Sequence, residues 1–197
     1  KSTDTKDRIL NTTANLLSTH GFSGTSIDDI LTAVGITKGA FYHYFKSKDH
    51  LCEIVLDVAV TQYHQLAEPI QEQAIFGKAL HRWLEILIEK QTSGKWLYCQ
   101  LITRLSIESG QLSPTAQNKL RTFWLWFHNL YENLIREALR ENSSDSKIDP
   151  ATAARLFISA HFGATWWIAA LRLNKTSLSS AKHFSPKLLD NFAAEAG

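Results

Sequence analysis

Apolar residues recur along this chain at the three- and four-residue spacing of a helix face, and strand-like alternation is absent, so the pattern predicts an all-α protein. Near the amino terminus Ile9, Leu10, Thr13, Leu16 and Leu17 form one stripe. Ile27, Ile30, Leu31 and Val34 form a second, at i, i+3, i+4 and i+7. Ser26 stands three residues before Asp29, the spacing of a capping box, with Thr25 a near-equivalent cap one position earlier. Gly35 ends that helix where a left-handed conformation is cheap, and Thr37 can cap the next. At about 100 degrees per residue, Phe41, Tyr44 and Phe45 fall on one side of this short helix. Gly39, Tyr42 and His43 fall on the other, with Lys38 flanking its start.

A helix, a tight turn and a short aromatic second helix make the geometry that pushes side chains into a DNA major groove. The inner side packs on Ile27, Leu31 and the first helix. The outer side offers a small residue for close approach, donors and acceptors for base edges, and a cation for phosphate. Tyr44 is ambiguous, because a tyrosine can pack its ring and still give its hydroxyl to a phosphate.

The stretch from Gly21-Phe22 through Gly24-Thr25-Ser26-Ile27-Asp28-Asp29-Ile30 to Gly35-Ile36-Thr37-Lys38-Gly39-Ala40-Phe41-Tyr42-His43-Tyr44-Phe45-Lys46-Ser47-Lys48 resembles the amino-terminal signature of the TetR family of bacterial transcriptional regulators. The resemblance implies a three-helix helix-turn-helix head over 1–48 and a helical ligand-binding and dimerisation bundle over 49–197. It implies that Thr25, Ser26, Tyr44 and Lys48 touch phosphates, and that Thr37, Lys38, Gly39, Tyr42 and His43 sit in or along the groove. The partner is then a near-palindromic double-stranded operator, read by a homodimer, with a small-molecule inducer and no cofactor.

Beyond the head, Ser47 can cap a helix running toward Leu66 and ending before Pro69. A fifth helix follows Gly77 with Leu80, Leu84, Leu87 and Ile88 as its stripe, and a sixth runs from about Trp96 to Ser109. Ser113-Pro114 opens a long helix to about Asn142, Asp149-Pro150 one to about Leu173, and Ser185-Pro186 a last one to about Glu195. From 142 to 147 the polar run reads as a loop.

The segment 150–173 is apolar on most sides, with Arg155, Ser159, His161 and Thr165 as its polar relief, and such a helix is buried on most sides. Ala160, Gly163 and Ala164 permit close helix approach. With Leu188, Leu189, Phe192 and Ala193 of the last helix, they suggest a four-helix interface across a two-fold axis. All six tryptophans lie after position 80. An apolar or aromatic ligand is expected among Tyr63, Trp83, Trp124, Phe127, Tyr131, Phe162 and Trp166, with His64 or His128 as a polar anchor. Trp126 falls among Lys119, Thr122, Asn129 and Asn133, and reads as a dimer contact, a pocket wall or plain exposure.

Composition narrows the alternatives. No apolar run is long enough to span a membrane and the amino terminus is polar, so a cytoplasmic protein is expected. The two cysteines, Cys52 and Cys99, argue against a secreted disulfide scaffold. Cys99-Gln100-Leu101 is similar to a Gly-Cys-Leu stretch in a TetR branch that includes electrophile- and redox-responsive repressors. The cysteine is displaced by one position, and a buried, inert thiol is expected. There is no methionine, position 1 included, so a trimmed chain is expected; any methionine lost internally would shift helical register after it.

Net charge is only +2, and residues 1–50 carry six Lys/Arg against five Asp/Glu, so attraction to DNA must depend on where charge is placed. Lys38, Lys46 and Lys48 cluster around the second motif helix. His81, Glu85 and Glu89 at i, i+4 and i+8 are the strongest hint of a helical-bundle metalloenzyme. No Glu-x-x-His pair completes such a site, and no phosphate-binding glycine loop or nucleophile elbow occurs, so no enzyme activity and no metal are expected. A regulator whose body binds a protein instead of a small ligand is the other alternative.

Overall fold

The computed structural model describes residues 2–72, 75–92, 97–141 and 149–171, with the side chains of the last segment described as far as Gly163. Among these residues every regular element is helical: α1 (Ser2–His20), α2 (Ile27–Val34), α3 (Lys38–Tyr44), α4 (Lys48–Gln71), α5 (Phe76–Thr92), α6 (Leu97–Ile107), a 3₁₀ turn (Ser109–Gln111), α7 (Pro114–Glu141) and α8 (Pro150–Leu171). The expected helix at 185–195 and the loop at 142–147 lie outside the described residues.

The helix boundaries follow local chemistry. Ser26 is the N-cap of α2: its hydroxyl accepts from Asp29 N–H at 3.1 Å, and its own N–H donates to the Asp29 carboxylate at 2.8 Å. Donation to the Asp29 carboxylate by the Ser26 hydroxyl, at 2.6 Å, and by the Ser26 N–H holds its pKa below the usual carboxylate value. Gly35 closes α2 at φ 74°, its N–H and that of Ile36 both donating to Leu31 C=O. Thr37 caps α3 by accepting from Ala40 N–H at 3.2 Å, and Ser47 caps α4 by accepting from His50 N–H at 3.1 Å. Ser113 and Asp149 do the same ahead of Pro114 and Pro150.

α4 does not stop before Pro69. It runs through the proline to Gln71, and its last turn closes with Glu72 N–H on Glu68 C=O at 3.3 Å. Proline removes one donor, but this close to a helix end little of the ladder remains to be broken. Two other expectations shift. On α7 it is Leu125, 58% exposed, that faces the polar side, while Trp126 is half-buried with its ring 6.0 Å from Phe127. His161 gives α8 no polar relief, because it is buried. The side chain of Thr165 lies outside the described residues.

The chain divides into two compact units, 1–64 with 96–123 and 65–95 with 124–197, a division that cuts α4 after His64 and α7 after Phe123. In the first unit α1 packs along α6 and against α2. Ile9, Leu17, Phe22, Ile30, Phe41, Phe45, Leu51, Val55, Leu101 and Leu105 are all buried in it. In the second, Trp83 and Leu87 of α5, Phe127 and Tyr131 of α7, and Ala154 of α8 are buried.

The turn between α1 and α2 is held from a distance. Gly21 adopts φ 78°, in the left-handed region, and a Cβ there would stand 1.9 Å from Glu108 Oε1. Glu108 accepts from Ser23 N–H at 3.1 Å and pairs with Arg104 Nε at 2.8 Å. Gly21→Ala is therefore expected to lower stability by about 1–3 kcal/mol, through left-handed strain and displacement of the carboxylate. In a Glu108→Ala background only the backbone part of that loss remains, so urea denaturation of the two single variants and the double variant yields a coupling clear of zero.

Candidate nucleic-acid interface

α3 is sided as the spacing predicts. Phe41 and Phe45 have 0% and 1% of their surface exposed, and their rings meet at 5.7 Å. Burying each contributes about 1.5–3 kcal/mol, enough to fix which way a seven-residue helix points. On the other side Thr37, Lys38, Gly39, Tyr42, His43 and Lys46 are all exposed, Tyr42 at 47%. Within 10 residues this surface presents a hydroxyl, two ammonium groups, a phenol and an imidazole around one glycine.

Gly39 has no structural need to be glycine. Its φ is not positive, and a Cβ added there would meet only Thr37 Oγ1, at 4.0 Å. A glycine with free space before it, in the middle of an outward face, leaves room for a partner's surface.

The four residues assigned to phosphates by resemblance divide. Ser26 is exposed, with its hydroxyl engaged in the capping box. Tyr44 is half-buried, its ring 4.9 Å from that of His43 and 6.2 Å from that of Phe45. Thr25 is buried and its hydroxyl donates to Gly21 C=O at 2.7 Å. Lys48 sends its ammonium inward, donating to Phe22 C=O at 2.9 Å and Thr25 C=O at 3.0 Å, 3.9 Å from the centre of the Phe22 ring. Thr25 and Lys48 thus tie down the α1–α2 connection, and Lys38 and Lys46 are the cations that α3 presents outward.

Sequence reasoning missed two residues that hold this head together. Arg8 donates from its guanidinium to Val34 C=O at 2.7 Å, covering the C-terminus of α2, and Glu108 grips the turn before it. Their partners lie 26 and 85 residues away, and no local pattern carries that signal.

The residues expected to hold a ligand also separate. Tyr63 belongs to the first unit, fully buried with its ring 4.9 Å from Phe123, and His64 beside it is exposed. Trp83, Trp124, Phe127, Tyr131 and Phe162 form one ring cluster in the second unit. Trp83 lies 6.0 Å from Phe127, Phe127 lies 5.2 Å from Tyr131, and Trp124 lies 4.8 Å from Phe162. His128 is half-buried, with Nε2 3.3 Å from Ala151 C=O and Nδ1 3.7 Å from Glu132. The side chain of Trp166 lies outside the described residues. Both cysteines are buried, and burial next to the Asp49 and Glu53 charges pushes the Cys52 thiol up to about 12. His81 pairs with Glu85 at 3.4 Å on an open helix face, and no group of three metal-ligating side chains occurs among the described residues.

A family model described as bacterial regulatory proteins, tetR family, matches residues 9–55. An uncharacterized HTH-type transcriptional regulator of Lactococcus lactis subsp. lactis is 45% identical over 65 residues, 32% of this chain and 33% of that protein. The HTH-type transcriptional repressor NemR of Escherichia coli K12 is 31% identical over 125 residues, 59% of this chain and 60% of that protein. The chain therefore spans between a third and three-fifths of the length of these curated relatives. A solved TetR-family regulator from Agrobacterium tumefaciens, 15% identical, shares the fold with a TM-score of 0.81 over 93% of this chain and 96% of its own. Residues 9–55 thus match the helix-turn-helix of the TetR family, and the chain shares the all-helical fold of a solved TetR-family regulator.

Proposed function

We propose that the protein is a dimeric, sequence-specific DNA-binding regulator that is released from a near-palindromic operator by a small apolar or aromatic ligand. The observation that carries this reading is the outward face of α3. Six exposed residues with groove chemistry lie on and beside a helix anchored on its opposite side by the buried Phe41 and Phe45. Similarity to NemR, a transcriptional repressor, supports repression over activation. In functional terms residues 1–48 are the DNA-binding head and 49–197 the ligand-binding and dimerisation part. Among the described residues no helix is long and apolar enough to cross a membrane.

On α3, Tyr42 and His43 read base edges, Thr37 and Lys38 hold the strand at the helix start, and Gly39 lets the backbone come close to it. Ser26 and Tyr44 add phosphate contacts from the flanks. Thr25 and Lys48 contribute by fixing the α1–α2 connection from which those contacts are made.

A dimer explains how two such heads select one site, because symmetry-related recognition helices read half-sites about 34 Å apart or a multiple of it. α8 offers a surface for it. Leu156 is 53% exposed, and Thr152, Ser159, Ala160 and Gly163 lie exposed on the same side, with nothing within 4 Å of a Cβ placed at Gly163. Small residues around an exposed leucine suit close helix packing. A ligand that prefers a conformation with differently spaced heads shifts the protein from mostly bound to mostly free if its differential affinity reaches about 5 kcal/mol.

Selection of bound sequences from a random duplex pool tests the reading directly. Wild type is expected to enrich a near-palindrome, and Tyr42→Ala and His43→Ala to lose it while keeping wild-type circular dichroism. Failure of folded, dimeric wild type to enrich any sequence at low salt would sink the recognition assignment.

Gly39→Ala separates binding from folding. Its melting temperature is expected to equal or exceed that of wild type, because alanine favours a helix by up to about 1 kcal/mol, while operator affinity falls. Unchanged affinity would mean that the strand does not approach this glycine.

Leu156→Arg is expected to convert dimer to monomer in sedimentation and to abolish palindrome binding with helix content retained. A dimer that persists at micromolar concentration in this variant would place the interface elsewhere.

A further inference from the structure

Buried hydrogen-bond donors are nearly always paired, and leaving one unpaired destabilises the fold. Trp83 of α5 departs from that rule. Its side chain is fully buried, and its indole Nε1–H has no hydrogen-bond partner among the described residues. A phenylalanine or leucine would serve the core without the unpaired group.

The surroundings of this donor are aromatic. The Trp83 ring lies 6.0 Å from Phe127, which in turn lies 6.1 Å from both Trp124 and Phe162. Trp124 and Phe162 meet edge to face at 4.8 Å, and both are half-exposed. The cluster is thus sealed at Trp83 and reaches solvent at the Trp124–Phe162 end. His161, whose ring lies 4.9 Å from that of Phe162, is buried, and desolvation pushes its pKa down to about 4, so near neutral pH it brings no charge.

We infer that Trp83 Nε1–H is the hydrogen-bond donor for the ligand of this domain, and that the ligand is an aromatic molecule carrying a carbonyl-type acceptor. The inference rests on the proposed ligand-binding role of the second unit. It gives that role a chemistry: ring faces supply apolar contact and the indole N–H fixes orientation. The energetic asymmetry of hydrogen bonds strengthens the preference, since an acceptor arriving at Trp83 relieves a penalty that the free protein already carries.

Matched hydrocarbon and ketone pairs test this without knowledge of the natural ligand. Indane with 1-indanone, tetralin with 1-tetralone, and fluorene with 9-fluorenone are titrated calorimetrically into the full chain and into Trp83→Phe. The ketone of at least one pair is expected to bind wild type about 10-fold more tightly than its hydrocarbon, as one gained hydrogen bond implies. In Trp83→Phe that advantage shrinks to about twofold or less while the hydrocarbon still binds. A ketone preference that survives in Trp83→Phe overturns the assignment of the donor. Equal binding of hydrocarbon and ketone by wild type overturns the inference while leaving an apolar pocket standing, and this comparison needs no variant. If none of the six compounds binds wild type, the ligand-binding reading of the domain fails and the inference fails with it.

Discussion

Everything proposed for DNA recognition depends on the burial of Phe41 and Phe45. α3 has seven residues, too short to persist as an isolated helix in water, where about 12–15 residues are needed even for favourable sequences. Its existence and its facing are therefore imposed by tertiary contact. The two phenylalanines supply several kcal/mol of apolar burial by the usual area scale. The Thr37 cap satisfies one N–H at the start, and Phe45 N–H reaches Phe41 C=O at 3.0 Å at the end. With one face anchored this firmly, the opposite face can be composed freely for binding, which is how glycine, histidine and exposed tyrosine come to share a helix that none of them favours strongly.

The same economy governs the turn that carries α2 and α3. Three charged side chains are bonded to backbone carbonyls and N–H groups. Arg8 covers the end of α2, Lys48 gathers the carbonyls of Phe22 and Thr25, and Glu108 takes the N–H of Ser23. A charged group bonded to backbone stabilises more than a neutral one, roughly twofold, and it fixes direction as well. Because Glu108 follows α6 and Gly21 follows α1, the two helices that pack along each other also share the turn at their ends. A shift of α6 against α1 would move Glu108 and with it the start of α2.

Much of this was legible in the sequence, for identifiable reasons. Caps at Ser26, Thr37, Ser47, Ser113 and Asp149, the Gly35 stop, and the siding of α3 are all set by residues within four positions of one another, and local spacing reads such features well. The inward turn of Thr25 and Lys48 was not legible, because a lysine beside a recognition helix reads as a phosphate ligand until its carbonyl partners 23 and 26 residues away are seen. On α7 the exposed position is Leu125, not the neighbouring Trp126. One position is about 100 degrees of a helix, so a small error in the buried arc exchanges adjacent residues. His161 sits among apolar neighbours in the sequence, and its burial needed the tertiary packing to be seen.

Charge placement reconciles the proposed specific DNA binding with a net charge of only +2. The acids of the head are partly spent on structure: Asp29 completes the α2 cap, with a pKa held low by those hydrogen bonds. Asp28 and Asp29 lie in the first turn of α2, where a negative charge suits the helix dipole. Of the lysines, Lys48 is used internally, which leaves Lys38 and Lys46 at the two ends of α3 as its outward cations. Under the proposed role, few phosphate contacts would release few counterions, and the electrostatic part of binding would be small and only weakly dependent on salt. The remainder must come from base edges and close backbone approach, the contributions that discriminate one sequence from another. A nearly neutral head would in this role trade general affinity for selectivity.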